Sequence, residues 1–204
     1  MQRQKREGDR IPLVALVGYT NAGKSTIMNA MLDAYMQKEE KKVLEKDMLF
    51  ATLDTTVRRI NTGNNKDFLL SDTVGFIHKL PHDLVEAFHS TLEEVENADL
   101  LLHVVDYSDS HYREQAKTTR ETLQKLNAGA IPAITVYNKS DKSGEETAYP
   151  RRIGEDKIYI SAKDEASLRM LTEMILARVY EDYLPAEFLI PYDEGQLISY
   201  FSQK

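Results

Sequence analysis

Short apolar runs separated by amphipathic segments dominate this chain. Five runs are apolar enough to form buried strands, and they cover residues 12–18, 68–72, 99–106, 131–138 and 157–162. Continuous apolar strands that alternate with helices are typical of a parallel sheet with both faces covered. The pattern therefore predicts an α/β fold, with a mainly parallel sheet and helices on both faces.

Helical spacing of apolar residues marks the segments between these strands. It predicts helices over residues 24–36, 82–97, 111–127 and 165–182. In the second helix apolar residues recur at helical spacing from Leu84 to Val95, and Pro81 suits the first turn.

One connection breaks the alternation of strand and helix. Residues 56–60 and 68–72 flank the polar turn NTGNNK, which favours a β-hairpin over a crossover connection. We therefore expect one antiparallel edge strand on the otherwise parallel sheet. His103 lies inside an apolar run, and we expect it to be a core residue whose hydrogen bonds are satisfied.

Composition narrows the class of protein. The 204 residues are 42% hydrophobic and 29% charged, include no cysteine and carry a formal net charge of −7. Without cysteine the chain has no disulfides or thiolate metal sites, which is compatible with the cytoplasmic location that we expect. No apolar run approaches the roughly 20 residues of a membrane-spanning helix. The negative charge means that any contact with RNA must be local.

The stretch GYTNAGKST, residues 18–26, joins the first strand to the first predicted helix. It fits G-x-x-x-x-G-K-[ST], a loop whose amides wrap phosphates while the following helix points its positive end at them. Lys24 is expected against the β- and γ-phosphates, and the Ser25 hydroxyl is expected to ligate Mg²⁺. The predicted phosphate-binding residues are Gly18, Asn21, Ala22, Gly23, Lys24, Ser25 and Thr26.

A second polar motif, DTVG at residues 72–75, follows the strand over residues 68–72. After a phosphate loop, such a motif predicts that Asp72 holds Mg²⁺ through water. It also predicts that the Gly75 amide donates a hydrogen bond to the γ-phosphate.

Two further motifs, NKSD at 138–141 and SAK at 161–163, predict recognition of the base. Asp141 can accept hydrogen bonds from two neighbouring donors of guanine, a pair that adenine does not offer in that arrangement. The Ala162 amide is expected near the guanine oxygen, with Lys163 over the base. All four motifs fall where open α/β sheets bind ligands, and their order predicts GTP and GDP as ligands. The predicted base-binding residues are Asn138, Lys139, Asp141, Ser161, Ala162 and Lys163.

Five stretches together resemble the G domain of the HflX family of translational GTPases: LVGYTNAGKST, LFATLDTTVRRI, SDTVGFIHKLPHDLVEAFHSTLEEV, ADLLLHVVD and NKSD. The resemblance implies a Ras-like P-loop NTPase domain over residues 11–183. It implies a connector from an N-terminal region over residues 1–10 and the start of a C-terminal domain over 184–204. It further implies that the protein is a monomeric nucleotide switch, which hydrolyses GTP and acts on the large ribosomal subunit in ribosome splitting or rescue.

The same resemblance implies two more site residues. The family's usual switch I signature is ATLDPTTR, whereas this chain has ATLDTTVR at residues 51–58. Aligning Asp54 and Arg58 puts Thr56 where the family meets Mg²⁺ and the γ-phosphate, with Thr55 as the alternative. Asn21 is implied to help bind K⁺ near the β–γ bridge, where a cation neutralises charge in the transition state.

The source of catalysis stays open at this level. Phe76 follows the DTVG motif, where many GTPases place a glutamine that orients the attacking water. The expected catalytic residues are Lys24, Asn21, Thr56 and Gly75. Slow hydrolysis stimulated by K⁺ or by ribosomes is one interpretation, and water exclusion by Phe76 is another. A nucleotide-dependent binding module with negligible hydrolysis is the alternative function.

Overall fold

The computed structural model describes residues 11–35, 56–63, 66–73, 95–143, 148–183, 189–191 and 195–197. Within them, seven strands form one sheet: β1 (Leu13–Gly18), β2 (Thr56–Ile60), β3 (Phe68–Asp72), β4 (Leu100–Asp106), β5 (Ala133–Asn138), β6 (Arg151–Ile153) and β7 (Lys157–Tyr159). The longer helices of this part are α1 (Lys24–Tyr35), α2 (Tyr112–Lys125) and α3 (Glu165–Val179).

The sheet has the strand order β2-β3-β1-β4-β5-β7-β6. The five central strands run parallel, and β2 and β6 pair antiparallel at the two edges. The predicted mainly parallel sheet and its antiparallel β2 are confirmed, with Thr56 opposite Asp72 and Ile60 opposite Phe68. The second antiparallel edge strand, β6, is an addition that the sequence pattern did not predict.

Both faces of the sheet are covered, as predicted. Along β1 the side chains alternate: Val14 and Leu16 belong to the core under α1 and α3, whereas Ala15 and Val17 belong to the core under α2. Successive residues of a strand point to opposite faces, so an uninterrupted apolar strand feeds two cores at once. Among the described helices none is both long and apolar enough to cross a membrane.

The helices begin and end close to their predicted bounds. Asp164 caps α3, because its carboxylate accepts hydrogen bonds from the Ser167 backbone N–H and hydroxyl, both at 2.7 Å. Most of the helix predicted over residues 82–97 lies outside the described residues, and only its end at 95–97 is seen as helical. The strand predicted over 157–162 is shorter than expected, since β7 ends at Tyr159 and the following residues form a loop.

His103 is buried as predicted but is not satisfied. It is 4% exposed on the face of β4 that α2 covers, and its Nε2 has no hydrogen-bond partner among the residues that the structure describes. Burial, helped by the positive charge of Arg120, lowers the pKa of His103 to about 4. The expectation of a satisfied core histidine is therefore wrong for this ring nitrogen, and the ring is neutral at physiological pH.

Candidate functional site

The ends of β1, β3, β4 and β5 meet at one edge of the sheet, because these strands run parallel. Leu16 lies opposite Asp72, Gly18 opposite Val104, and Asp106 opposite Asn138. The described residues at these strand ends are therefore neighbours. This edge brings together residues of the first three predicted motifs, Gly18, Asp72 and Asn138, and the SAK loop follows β7.

The phosphate loop takes a shape that needs glycine at both ends. A β-carbon on Gly18, which has φ +155°, would lie 2.2 Å from the Val104 carbonyl oxygen. Gly23 has φ +98°, a conformation that L-residues rarely adopt. Between them Asn21 is left-handed at φ 63°. The Ala22 N–H donates to the Tyr19 carbonyl at 3.2 Å, which closes the loop just before α1.

Lys24 is the first residue of α1, and its side chain turns back onto this loop. Its ammonium donates to the carbonyl oxygens of Gly18 at 3.1 Å and Tyr19 at 3.3 Å, and the residue is 7% exposed. Burial lowers the pKa of Lys24 below its ordinary value, and the negative charge of Asp72 partly opposes this. An ammonium has three donors, so this one retains the capacity to bind an anion. A desolvated cation inside a loop of backbone amides favours a phosphate ligand.

Asp72 and Ser25 fit the predicted Mg²⁺ site. One carboxylate oxygen of Asp72, Oδ1, is buried without a hydrogen-bond partner in the described part of the chain, which is costly for an acceptor of this kind. Ser25 is exposed in the first turn of α1. The described residues contain no cluster of three or more His, Asp or Glu side chains suited to a metal. A site of one carboxylate and one hydroxyl suits Mg²⁺, which is usually held by few protein groups together with phosphates and water.

Thr56 and Gly75 are the residues predicted to complete this part of the site. Thr56 is described only by its backbone, which pairs with Asp72 and so lies beside the predicted metal position. Gly75 lies outside the described residues, as do Thr55 and Phe76. Their predicted roles stay predictions.

Asn138 joins the phosphate loop to the SAK loop. Its side chain is buried, with the residue only 2% exposed, and its Nδ2 donates to the Ala22 carbonyl at 3.0 Å. Its Oδ1 accepts from the Ala162 N–H at 3.1 Å. The donor predicted for the guanine oxygen is thus engaged by Asn138, and a guanine oxygen would share that N–H with it. Asn138 acts here as a link between two loops.

Lys139 makes a second link between loops. Its backbone is left-handed at φ 62°, and its ammonium donates to the Asn21 carbonyl at 2.8 Å. The same ammonium pairs with Asp106 Oδ2 at 2.6 Å. Asp106 was missed by the sequence analysis. The available signal was its place at the end of an apolar strand, which matches that of Asp72.

The remaining predicted base-binding residues line the outer side of these links. Asp141 and Lys163 are exposed, whereas Ser161 is buried. The Ser161 hydroxyl accepts from the Lys163 N–H at 3.4 Å, which closes the SAK loop. The end of β5 is braced by Tyr137, whose ring stacks on Tyr159 of β7 with centroids 4.6 Å apart. Asp141 is thus an exposed residue next to these linked loops.

Comparison with known proteins agrees with this arrangement. A family model described as 50S ribosome-binding GTPase matches residues 13–139. A protein named GTPase HflX from Caldanaerobacter subterraneus subsp. tengcongensis is 45% identical, covering 100% of this chain and 45% of its own length. GTPase HflX from Alkalihalophilus pseudofirmus is 41% identical, covering 97% of this chain and 44% of its own length. The chain therefore spans less than half the length of these curated relatives.

Solved structures share the fold. The crystal structure of SsGBP in complex with GDP is similar with a TM-score of 0.65 and 26% sequence identity. The similarity covers 90% of this chain and 54% of that chain.

Proposed function

Because this chain belongs to the HflX family of GTPases, we propose that it binds GTP with Mg²⁺ and hydrolyses it to GDP and phosphate. We place the nucleotide at the edge where the loops after β1, β3, β5 and β7 meet. The observation that carries the proposal is the buried ammonium of Lys24, held by the Gly18 and Tyr19 carbonyls inside a loop preceding α1.

The phosphates would contact the loop over residues 18–26. Lys24 supplies a desolvated positive charge, and the first turn of α1 supplies backbone N–H groups without partners inside the helix. Ser25, Asp72 and Thr56 are the proposed metal ligands, with Asp72 acting directly or through water. When bound, Mg²⁺ neutralises charge on the phosphate oxygens.

The base would be recognised on the other side of the linked loops. Asp141 is the proposed acceptor for the two guanine donors, and its exposed carboxylate supports this role. Lys163 covers the base, and the Ala162 N–H is shared between Asn138 and the guanine oxygen. The Asn138 hydrogen bonds to Ala22 and Ala162 support a base site that keeps a fixed distance from the phosphate loop.

Catalysis is proposed to depend on a further contribution, from K⁺ or from the large ribosomal subunit. We expect slow hydrolysis by the chain alone, with stimulation by K⁺ through Asn21 or by the large ribosomal subunit. Asn21 is exposed, and its carbonyl is held by Lys139, so its side chain is presented from a fixed backbone. Gly75 is proposed to contact the γ-phosphate through its amide.

Action on the large ribosomal subunit is the cellular part of the proposal. Its support is the description of the matching family as 50S ribosome-binding GTPases. We propose a cytoplasmic monomer in which residues 11–183 form the GTPase domain. Residues 1–10 are proposed as a connector, and residues 184–204 as the start of a C-terminal domain.

Phosphate release tests the proposal. The 204-residue chain would be given GTP and Mg²⁺ in K⁺ and in Na⁺, each with and without large ribosomal subunits. ATP serves as the control substrate. If GTP is hydrolysed in at least one of these conditions and ATP in none, the result supports a GTPase. The condition in which hydrolysis begins identifies its stimulus. Tight binding of GTP and GDP without turnover anywhere would favour the binding-module function instead.

A further inference from the structure

We propose that Asp106 is a positioning residue for nucleotide binding. It holds the Lys139 ammonium in place, and that ammonium in turn fixes the backbone of Asn21 in the phosphate loop. The inference rests on the proposed function, because the loop that it positions is the proposed phosphate site.

Three loops meet at the Lys139 ammonium. It lies 2.6 Å from Asp106 Oδ2 and 2.8 Å from the Asn21 carbonyl oxygen. Asn21 follows β1, Asp106 ends β4 and Lys139 follows β5. One charged group therefore ties the phosphate loop to the loop that carries Asp141.

The carboxylate of Asp106 is oriented before it meets Lys139. Its Oδ1 accepts hydrogen bonds from the Ser108 backbone N–H at 3.0 Å and from the Ser108 hydroxyl at 2.6 Å. Its backbone lies opposite Asn138 in the sheet, and the Tyr107 N–H donates to the Asn138 carbonyl at 2.9 Å. These contacts aim Oδ2 at Lys139 without further rearrangement.

The backbone that this contact holds is an unusual one. Asn21 and Lys139 both have left-handed backbones, at φ 63° and φ 62°. Such a conformation is unfavourable for a residue with a side chain, and for lysine more than for asparagine. The hydrogen bond between these two residues helps to keep both in place. Without the carboxylate, the Lys139 ammonium would turn toward water and the Asn21 carbonyl would lose this donor.

The Asp106–Lys139 ion pair is partly shielded from solvent. The side chains are 14% and 29% exposed, so solvent screens their attraction less than it screens an ordinary surface pair. By comparison, the Lys117–Glu121 pair on α2 has side chains that are 75% and 56% exposed and atoms 3.8 Å apart. The partly buried position and the short distance distinguish Asp106 as a residue that acts on its neighbour.

Dissociation of fluorescent GDP from the full chain tests the relay. Asp106→Asn keeps the shape and the Ser108 contacts but removes the charge, and Lys139→Met removes the ammonium. Each is expected to raise the GDP dissociation rate by about tenfold, the effect of a contact of moderate strength. Because both remove the same interaction, the double variant should dissociate no faster than about twice the Lys139→Met rate.

Asp109→Asn is the matched control. Asp109 lies three residues further along the same loop and likewise caps a backbone N–H, that of His111 at 2.8 Å. It makes no contact with Lys139 and should leave GDP dissociation within about twofold of the unchanged chain.

Hydrogen exchange of the Ala22 amide in the nucleotide-free chain gives a readout that does not depend on GDP binding. The Ala22 N–H closes the phosphate loop by donating to Tyr19. Its exchange should accelerate in Asp106→Asn and in Lys139→Met but not in Asp109→Asn. If the unchanged chain bound no GDP, the proposed function would fail, while this exchange experiment would still decide the role of Asp106.

Two results would overturn the inference. One is an Ala22 exchange rate in Asp106→Asn equal to that of the unchanged chain. The other is an Asp106→Asn effect on GDP dissociation that persists in full when Lys139 is already methionine, since Asp106 would then act by a separate route.

Discussion

The side-chain amide of Asn138 occupies the space that a β-carbon on Gly23 would need. An ideal β-carbon there would lie 2.3 Å from Asn138 Nδ2. The amide cannot easily retreat, because it donates to the Ala22 carbonyl and its oxygen accepts from the Ala162 N–H. Gly23 and Asn138, which are far apart in sequence, therefore form one joint between the phosphate loop and the base-side loops.

Gly23→Ala should therefore abolish tight nucleotide binding. The added carbon both meets Asn138 and forces a side chain into φ +98°. Gly63→Ala is the matched control, since Gly63 has φ +82° but nothing within 4 Å of its β-carbon position. We expect Gly23→Ala to weaken GDP binding by roughly 100-fold or more, as breaking a buried network does. Gly63→Ala should lose about 1 kcal/mol of unfolding free energy and keep its GDP affinity. Equal GDP affinities for the two variants would contradict the clash.

Asp72→Asn should weaken GDP binding only when Mg²⁺ is present. Among the described residues, the buried Oδ1 of Asp72 has no hydrogen-bond partner, so this oxygen is available to ligate the proposed metal. Titration of fluorescent GDP in Mg²⁺ should show a loss of about tenfold, whereas titration in excess EDTA should show less than about twofold. The same loss in both titrations would point to a role for Asp72 in holding Lys24.

His103 should make the fold sensitive to mild acid. Its folded pKa of about 4 lies below the unfolded value near 6.5, so the unfolded chain takes up the proton first. The free energy of unfolding is unaffected by this group above about pH 6.5 and falls as the pH drops toward 4. At pH 5 the loss is on the order of 2 kcal/mol. The measurement is the free energy of unfolding in urea at pH 7.5 and at pH 5.0. The difference between these two values should be smaller in His103→Leu than in the unchanged chain, by about this amount. An unchanged difference between the two pH values would show that His103 is not the sensor.

Asp141→Asn should exchange guanine recognition for xanthine recognition. Xanthine has a carbonyl where guanine has an amine, and an asparagine amide can donate to that carbonyl. We expect the variant to lose roughly 100-fold or more in GDP affinity and to gain affinity for xanthosine diphosphate. The measurement is competition of the two nucleotides against fluorescent GDP or its xanthine analogue. A variant that binds neither nucleotide would contradict a direct contact between Asp141 and the base.

Tyr180→Phe should loosen the hairpin of β2 and β3 from the end of α3. The Tyr180 hydroxyl donates to the Asp67 carbonyl at 2.7 Å, beside the Arg59–Asp67 ion pair. Loss of this bond should lower the unfolding free energy by about 1 kcal/mol. Tyr183→Phe is the control, because Tyr183 is 58% exposed and should lose little. Equal losses in the two variants would argue against the Asp67 contact.

The sequence predicted the parts of the fold that follow from local pattern. The boundaries of β2 and β3 were predicted to the residue, because two strand-like runs flank a polar turn there. β6 was missed because its three residues, Arg151–Ile153, are all exposed and show no apolar alternation. It exists through its pairing with β7, which local sequence does not encode.

The site was predicted unevenly for a similar reason. Residue types at motif positions identified Lys24, Asp72 and Asn138, and the structure brings them to one edge of the sheet. The sequence did not reveal that Asn138 would accept a hydrogen bond from the Ala162 N–H or that Asp106 would pair with Lys139, since both contacts join residues that are distant in sequence. The unpartnered nitrogen of His103 was also unpredictable, because hydrogen bonding in a core depends on the helix packed above the strand.

The two cross-links at Asn138 and Lys139 have a consequence for nucleotide exchange. Both attach the loop after β5 to the loop after β1, through the carbonyls of Ala22 and Asn21. A force applied to either loop is therefore transmitted to the other, and opening of the base side strains the phosphate side. An exchange factor would need to displace only the loop after β5, which lies on the base side, to disturb the phosphate loop as well.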